Sequence, residues 1–390
     1  MAPGDPTQAP AADPAPPRLR PRWRRAALAL AGALLVLGVP CIGCRARAEF
    51  RDPLPPDGAF RRVEPSGAQD ARFSAAAAYS AETDGLALLV LEGDKLLFER
   101  YQNGNTAEVP HHLFSGTKSF SGVLVAAAVE DGLLSLDERV VDTLPELRGD
   151  ARKEQVTVRH LLDFTSGWED AFWRTTWDGL HQDQRVADKY AYTLGLAVER
   201  DPGTRYRYGG SHQMVLGRFL QRKLGEDPVA WLERRVTGRL GMRFAGWIRD
   251  PQGNPMLPYG AWTTAYEWAK LGVFLLQRGK WRGEQVVAWE RLQECLQGSA
   301  AMPAYGLTFW LNRPVPDELR RDLIPQLREP ASRGAPLLPG GPEDLFAAAG
   351  HDGNRCYVIP SKNLVIVRMG TSERPYRDER LLRLVLGMDE

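Results

Sequence analysis

Ser115-Gly116-Thr117-Lys118 is the only Ser-x-x-Lys in a chain of 390 residues. A serine hydroxyl is a poor nucleophile at neutral pH until a base takes its proton. Positions three apart on a helix share a face, so the Lys118 amine can reach back to the Ser115 hydroxyl. Lysine works as such a base once burial or a neighbouring cation favours its neutral form. A helix opening at this point would also turn its positive end toward the alkoxide and the oxyanion that follows. The same four residues can equally be a helix cap followed by a solvated lysine.

Two further segments bear on that choice. Asp201 to Tyr208 forms a loop ending in tyrosine ahead of an apolar helix, and Tyr208 is a candidate second base or proton relay. Its alternative is an aromatic anchor for the loop. Gly350-His351-Asp352-Gly353-Asn354 leads into an apolar strand at Cys356, and glycine there lets a substrate backbone approach a strand edge. Other chemistries lack their residues. No Gly-x-Gly, Walker A, His-Glu-x-x-His or Gly-x-Ser-x-Gly occurs, and the six histidines are scattered. His111-His112 has no third ligand nearby, so a zinc site is not expected, and the fingerprint of a dinucleotide cofactor is missing.

The elements that would position these groups follow from periodicity. Leu86–Leu91 and Leu96–Tyr101 are apolar runs around Glu92-Gly93-Asp94, a hairpin signal. Cys356–Ile359 and Leu364–Met369 flank Pro360-Ser361-Lys362-Asn363 as a second hairpin, and a helix carrying Leu381, Leu382, Val385 and Leu386 closes the chain. The fold class expected is α/β (α+β), one antiparallel sheet built from N- and C-terminal strands and flanked by helices. A mainly helical lobe over about 150–300 is inserted between them. Ser119–Asp131 reads as a helix stopped by Gly132, with others over Val156–Phe164, Met214–Leu224, Pro228–Leu240 and Thr264–Gln277. Arg313–Pro342 reads as a surface excursion.

The start of the chain has a different character. Residues 1–25 form a Pro- and Ala-rich leader ending in Arg18, Arg20, Arg22, Arg24 and Arg25, and an apolar run follows from Ala26 to about Gly43. A basic flank before such a run marks an export signal or a single membrane anchor. Over residues 26–48 three outcomes stay open. The signal is cleaved after Ala46-Arg47-Ala48, lipidated at Cys44 of Cys41-Ile42-Gly43-Cys44, or kept as an anchor of ~18 residues. Arg24-Arg25 matches a twin-Arg signal poorly. Each outcome places the remainder outside the cytoplasm, periplasmic or otherwise extracytoplasmic. Residues 49–75 read as a linker and 76–388 as the globular domain. With 50 basic against 49 acidic side chains, a nucleic-acid partner is not expected, and membrane contact is confined to the N-terminal segment. Oligomeric state is not legible. Cys295 and Cys356 either pair or stay as buried thiols.

Taken in this order, the motifs resemble those of the β-lactamase-related serine hydrolases. These include class C β-lactamases, D-Ala-D-Ala carboxypeptidases, esterases and 6-aminohexanoate-oligomer hydrolases. Their three signatures, Ser-x-x-Lys, Tyr-x-Asn and Lys/His-Thr/Ser-Gly, map to Ser115 and Lys118, to Tyr208-Gly209-Gly210, and to His351-Asp352-Gly353. Val158 to Trp168, Pro202-Gly203-Thr204, Val215-Leu216-Gly217, Thr263 to Gly283, and Tyr305-Gly306 with Trp310 extend the likeness over about residues 75–388.

The resemblance implies a β-lactamase/transpeptidase-like fold and an acyl-enzyme on Ser115, with Lys118 and Tyr208 relaying the proton. It also implies an oxyanion hole from the backbone N–H groups of Ser115 and Asn354. His351, Asp352, Gly353, Gly210 and Trp168 are then the expected substrate contacts. Trp168, Phe172, Trp173 and Trp177 form either an aromatic wall over the site or a core plug. Two positions depart from the pattern. Gly210 replaces an asparagine that binds the acyl side chain, and Asp352 replaces a hydroxyl residue with a negative charge. A carboxylate-bearing substrate beside Asp352 would meet a repulsion of about a few kcal/mol. The expected substrate is therefore an uncharged small-molecule ester or amide rather than a penicillin.

Overall fold

Alternation along the strands sets the architecture. In β2 (Gly85–Glu92), Leu88 and Val90 point to one side and Ala87, Leu89 and Leu91 to the other, all fully buried. A strand covered on both faces needs an unbroken apolar run, which is what Leu86–Leu91 supplies. The computed structural model describes residues 50, 52–169, 186–322, 336–371 and 375–389.

The strands are β1 (Arg61–Arg62), β2, β3 (Lys95–Tyr101), β4 (His111–His112), β5 (Gly246–Trp247), β6 (Ala261–Thr263), β7 (Lys280–Trp281), β8 (Glu284–Gln285), β9 (Trp310–Leu311), β10 (Phe346–Ala349), β11 (Arg355–Ile359) and β12 (Leu364–Gly370). The longest described helices are α1 (Gly67–Glu82), α2 (Lys118–Glu130), α3 (Ser211–Leu224), α4 (Ala265–Leu276) and α5 (Asp378–Leu386).

The main sheet runs β1-β3-β2-β12-β11-β10-β9, antiparallel except for the β1–β3 pair. Both termini thus contribute to one sheet, with β2 paired to β12 at its centre. One face is covered by α1 and α5 through Phe73, Ala76, Ala77, Leu381, Leu382 and Val385 packed on Leu88, Val90, Tyr357 and Ile366. The other face meets α4, buried along its whole length. Full burial of each Leu, Val or Phe side chain contributes about 1.5–3 kcal/mol. The second lobe holds α3, the short helices Val158–Leu162, Lys189–Leu194 and Pro228–Leu232, and the small sheet β4-β6-β5.

Two boundaries differ from the sequence reading. The linker expected over 49–75 ends at Ser66, whose hydroxyl accepts from Gln69 N (3.3 Å) while Gln69 Oε1 accepts from Ser66 N (3.0 Å). This capping box starts α1 nine residues before the expected domain edge, so residues 67–75 are helix rather than linker. The segment before it is docked as well. Phe60 is buried against Tyr266 and Trp281, and Asp57 receives a 2.8 Å bond from buried Lys270. The helical lobe also ends earlier than residue 300, because α4 returns to the sheet against β11 and β12.

The leader, the apolar run and the cysteines at 41 and 44 lie outside the described residues, as do Phe172, Trp173, Trp177 and part of the Arg313–Pro342 excursion. Among the described residues no helix is long and apolar enough to cross a membrane. Cys295 and Cys356 are both buried free thiols, and burial pushes each up to about 12. The pairing alternative therefore falls away. Cys295 lies against Gly122 of α2, whereas Cys356 lies against Gly272 of α4.

Candidate active site

The nucleophile candidate sits where a strand is forced into a helix. Leu113 N donates to Ala261 O (3.0 Å), continuing the β4–β6 ladder, and the chain then turns through Phe114 at φ 49°. A left-handed conformation is costly for a bulky residue and persists only where its surroundings over-determine it. Here His112 packs on the Phe114 ring at 4.1 Å and His351 meets its edge at 5.6 Å. Phe114–Thr117 forms a 3₁₀ turn that runs directly into α2 at Lys118. Neighbours lock the turn from below. Thr117 Oγ1 accepts from Ala261 N (3.1 Å), Ser119 Oγ donates to Thr308 O (2.8 Å), and Gly116 lies flat on Trp268.

Lys118 is 4% exposed and its Nζ stands 3.0 Å from Ser115 Oγ. The amine also donates to Pro258 O at 2.7 Å and lies 5.0 Å above the centre of the Tyr208 ring. Tyr208, ninety residues further along the chain, thus meets the Ser115–Lys118 pair through the lysine amine.

Tyr208 is positioned from both sides. Its ring packs against Phe164 (5.3 Å), Tyr305 (6.0 Å) and Trp310 (5.9 Å). Its backbone is fixed through fully buried His212, whose Nε2 lies 2.9 Å from Arg207 O and whose Nδ1 lies 2.7 Å from Ser166 Oγ. A carbonyl can only accept, so Nε2 carries the proton and Nδ1 accepts from the Ser166 hydroxyl. Burial pushes the His212 imidazole down to about 4, keeping it neutral. The nearby Asp163 carboxyl is pushed up to about 6 by burial, opposed by hydrogen bonds from the Thr165 hydroxyl and N–H. Gly210 is buried at the start of α3 and offers no side chain where an amide was expected.

The third side of the site is a turn ahead of β11. His351–Gly353 does not lie in a strand. It forms a 3₁₀ turn with Asp352 at φ 60° and Gly353 at φ 66°, joining β10 to β11. Asn354 N donates to His351 O inside that turn (3.1 Å), so this amide is already committed and does not serve as an oxyanion donor. Its side chain likewise braces the turn, accepting from Gly370 N and donating to His351 O.

β10 ends at Ala349, just before this turn. Ala349 is paired with Arg355, and the flanking bond runs from Gly350 N to Asn354 O (2.8 Å). In an antiparallel ladder that register turns the Ala349 N–H away from β11, toward the side on which β9 has already ended. Gly350 presses on the nucleophile turn, and a Cβ there would stand 2.0 Å from Leu113 O and 3.0 Å from Gly116 N. His351 has a half-exposed side chain with Nε2 3.2 Å from Asp352 Oδ1.

Trp168 is not on the cleft. It is 1% exposed, donates from its indole to Thr193 O (2.8 Å) and bridges to Val198, so of the two readings it takes the core plug. Sequence reasoning missed Ser166, His212 and Pro258, the last of which acts through its carbonyl and leaves no side-chain signal.

The beta-lactamase family model matches residues 70–386. The chain is 27% identical over 246 residues to the 6-aminohexanoate-dimer hydrolase of Paenarthrobacter ureafaciens, covering 58% of this chain and 61% of that protein. It is 29% identical over 162 residues to esterase EstB of Burkholderia gladioli, covering 38% and 41% respectively. The chain therefore spans less than two thirds of the length of these relatives. Among solved structures, EstCE1, a hydrolase with promiscuous acyltransferase activity, superposes with a TM-score of 0.61 at 16% identity, over 82% of this chain and 97% of that one. With a match over residues 70–386, most of its length, the chain belongs to the beta-lactamase family.

Proposed function

We propose that the protein is an exported serine hydrolase that cleaves uncharged small-molecule esters or amides through an acyl-enzyme on Ser115. The observation that carries this reading is the 3.0 Å contact between Ser115 Oγ and the buried Lys118 amine. In its free-base form Lys118 takes the Ser115 proton as Oγ attacks the substrate carbonyl. The resulting oxyanion receives hydrogen bonds from the N–H groups of Ser115 and Ala349, and such donors contribute about 3–4 kcal/mol each. As the tetrahedral species collapses, Lys118 returns the proton by way of Tyr208 to the departing alcohol or amine. Water then adds to the acyl-enzyme, gives its proton to Lys118, and releases the acid as Ser115 regains its hydroxyl.

Substrate charge follows from β10. Its side chains, Phe346, Ala347, Ala348 and Ala349, include no cation or hydroxyl to hold a carboxylate, and Asp352 adds a negative charge at the strand's end. That supports neutral substrates over penicillins. Export rests on the basic leader and apolar run of residues 18–43, which also provide the single route to membrane contact.

The test is a screen of p-nitrophenyl esters, anilides and nitrocefin, with fluorophosphonate labelling of wild type and Ser115→Ala. Ester turnover and labelling that both vanish in the variant are expected. A wild type that neither turns over nor labels, while a control esterase does, would leave a non-catalytic scaffold. Covalent capture of a fluorescent penicillin at Ser115 would overturn the substrate argument.

A further inference from the structure

Arg368, at the heart of β12, is completely buried. Its donors go to neutral oxygens. Nη1 reaches Gly353 O (2.9 Å) and Asp352 O (3.2 Å), Nη2 reaches Thr83 O (2.6 Å) and Thr83 Oγ1 (3.3 Å), and Nε reaches Ser80 Oγ (3.2 Å). The Tyr376 ring covers the guanidinium at 4.0 Å. Space for it is made by glycines. A Cβ on Gly353 would stand 2.2 Å from Nη1, and one on Gly370 would stand 2.5 Å from it.

Desolvating a guanidinium is expensive, and an apolar side chain of similar volume commonly stabilises an interior as well or better. Stability alone therefore gives a poor account of a charge here. What the charge does supply is direction. It holds the carbonyls of two successive residues in left-handed conformations, one of them an aspartate that pays a steric penalty for it. That turn follows β10 through Gly350, and Gly350 lies against the turn that carries Ser115.

We infer that Arg368 is a positioning residue, gripping the Asp352 and Gly353 carbonyls so that the Ala349 N–H is held where the substrate oxyanion forms. The inference rests on the hydrolase reading above and extends it to a residue that never touches substrate.

The test measures kcat and KM for p-nitrophenyl butyrate in the wild type, Arg368→Lys, Arg368→Met and Gly353→Ala. Thermal unfolding confirms that each is folded. A fall in kcat of about 10–100-fold with KM within about threefold is expected, the signature of lost transition-state stabilisation. Asp352→Gly in the Arg368→Lys background should recover at least about fivefold of the lost kcat, because glycine adopts the left-handed turn without being held. A merely structural arginine would show no such recovery.

Arg368 variants with kcat within about twofold of wild type, or a loss that Asp352→Gly does not relieve, would overturn the inference. Should neither Arg368 variant fold, Gly353→Ala decides, since it displaces the guanidinium without removing it, and normal kcat there is equally fatal. A wild type inactive on every ester sinks the hydrolase reading and this inference together. An active wild type with normal Arg368 variants sinks this inference alone.

Discussion

Lys118 meets a hydroxyl, a carbonyl and the face of a phenol ring, and the proposed cycle uses the first and the last of these. Replacing it with alanine should therefore cut kcat/KM by about 10³, within the range for loss of a general base, while unfolding stability falls by only about 1–2 kcal/mol. Paired kinetics and urea unfolding check this, and near-normal turnover would remove Lys118 from the mechanism. His212 yields a different expectation. The folded protein resists protonating it, with a value near 4 against an ordinary 6.5, and the unfolded chain does not. Between those values the unfolded state binds the proton, so stability falls as the pH drops through that window, by on the order of 3 kcal/mol. His212→Gln, neutral throughout, should lose less stability between pH 7 and 4.5 in urea titrations. Equal losses would show that His212 is not the acid-sensitive group.

At the scale of elements, the end of β10 and the turn before α2 fit together only because residue 350 has no side chain. Gly350 is in ordinary extended backbone at φ −121°, so the requirement is steric rather than conformational. Gly350→Ala should push the strand end off Leu113, lowering stability by about 1–3 kcal/mol and turnover by at least about tenfold. Unchanged kinetics in that variant would mean that β10 does not help to build the site. Elements such as β2, β3, β11, β12, α2, α4 and α5 were legible because periodicity, turn residues and a stop glycine all agree locally. β9 and β10 were not, since Phe-Ala-Ala-Ala carries no alternation and its strand character comes from pairing with β11. Ser115, Lys118 and Tyr208 could be named because a side chain announces its chemistry. Ala349 could not, because the contribution proposed for it is an amide whose direction depends on register. Trp168 misled for the opposite reason, an aromatic beside a motif whose burial only the packed lobe reveals.

Across the whole molecule, the segment ahead of α1 acts as part of the body. Phe60 fills a pocket beside Tyr266, and Lys270, buried with Glu267, takes its second carboxylate from Asp57. A chain starting at residue 64 should melt roughly 10 °C below one starting at residue 49, from a lost aromatic contact and a half-stripped buried cation. Equal melting temperatures would make the segment a mere tether. The pairing of β2 with β12 has a consequence for biosynthesis. A nascent chain that has emerged through α2 already carries α1 and β3 but still lacks β12, the strand on the other side of β2, which comes only with the final stretch of translation. The central ladder of the sheet therefore closes only when the last part of the chain has been made.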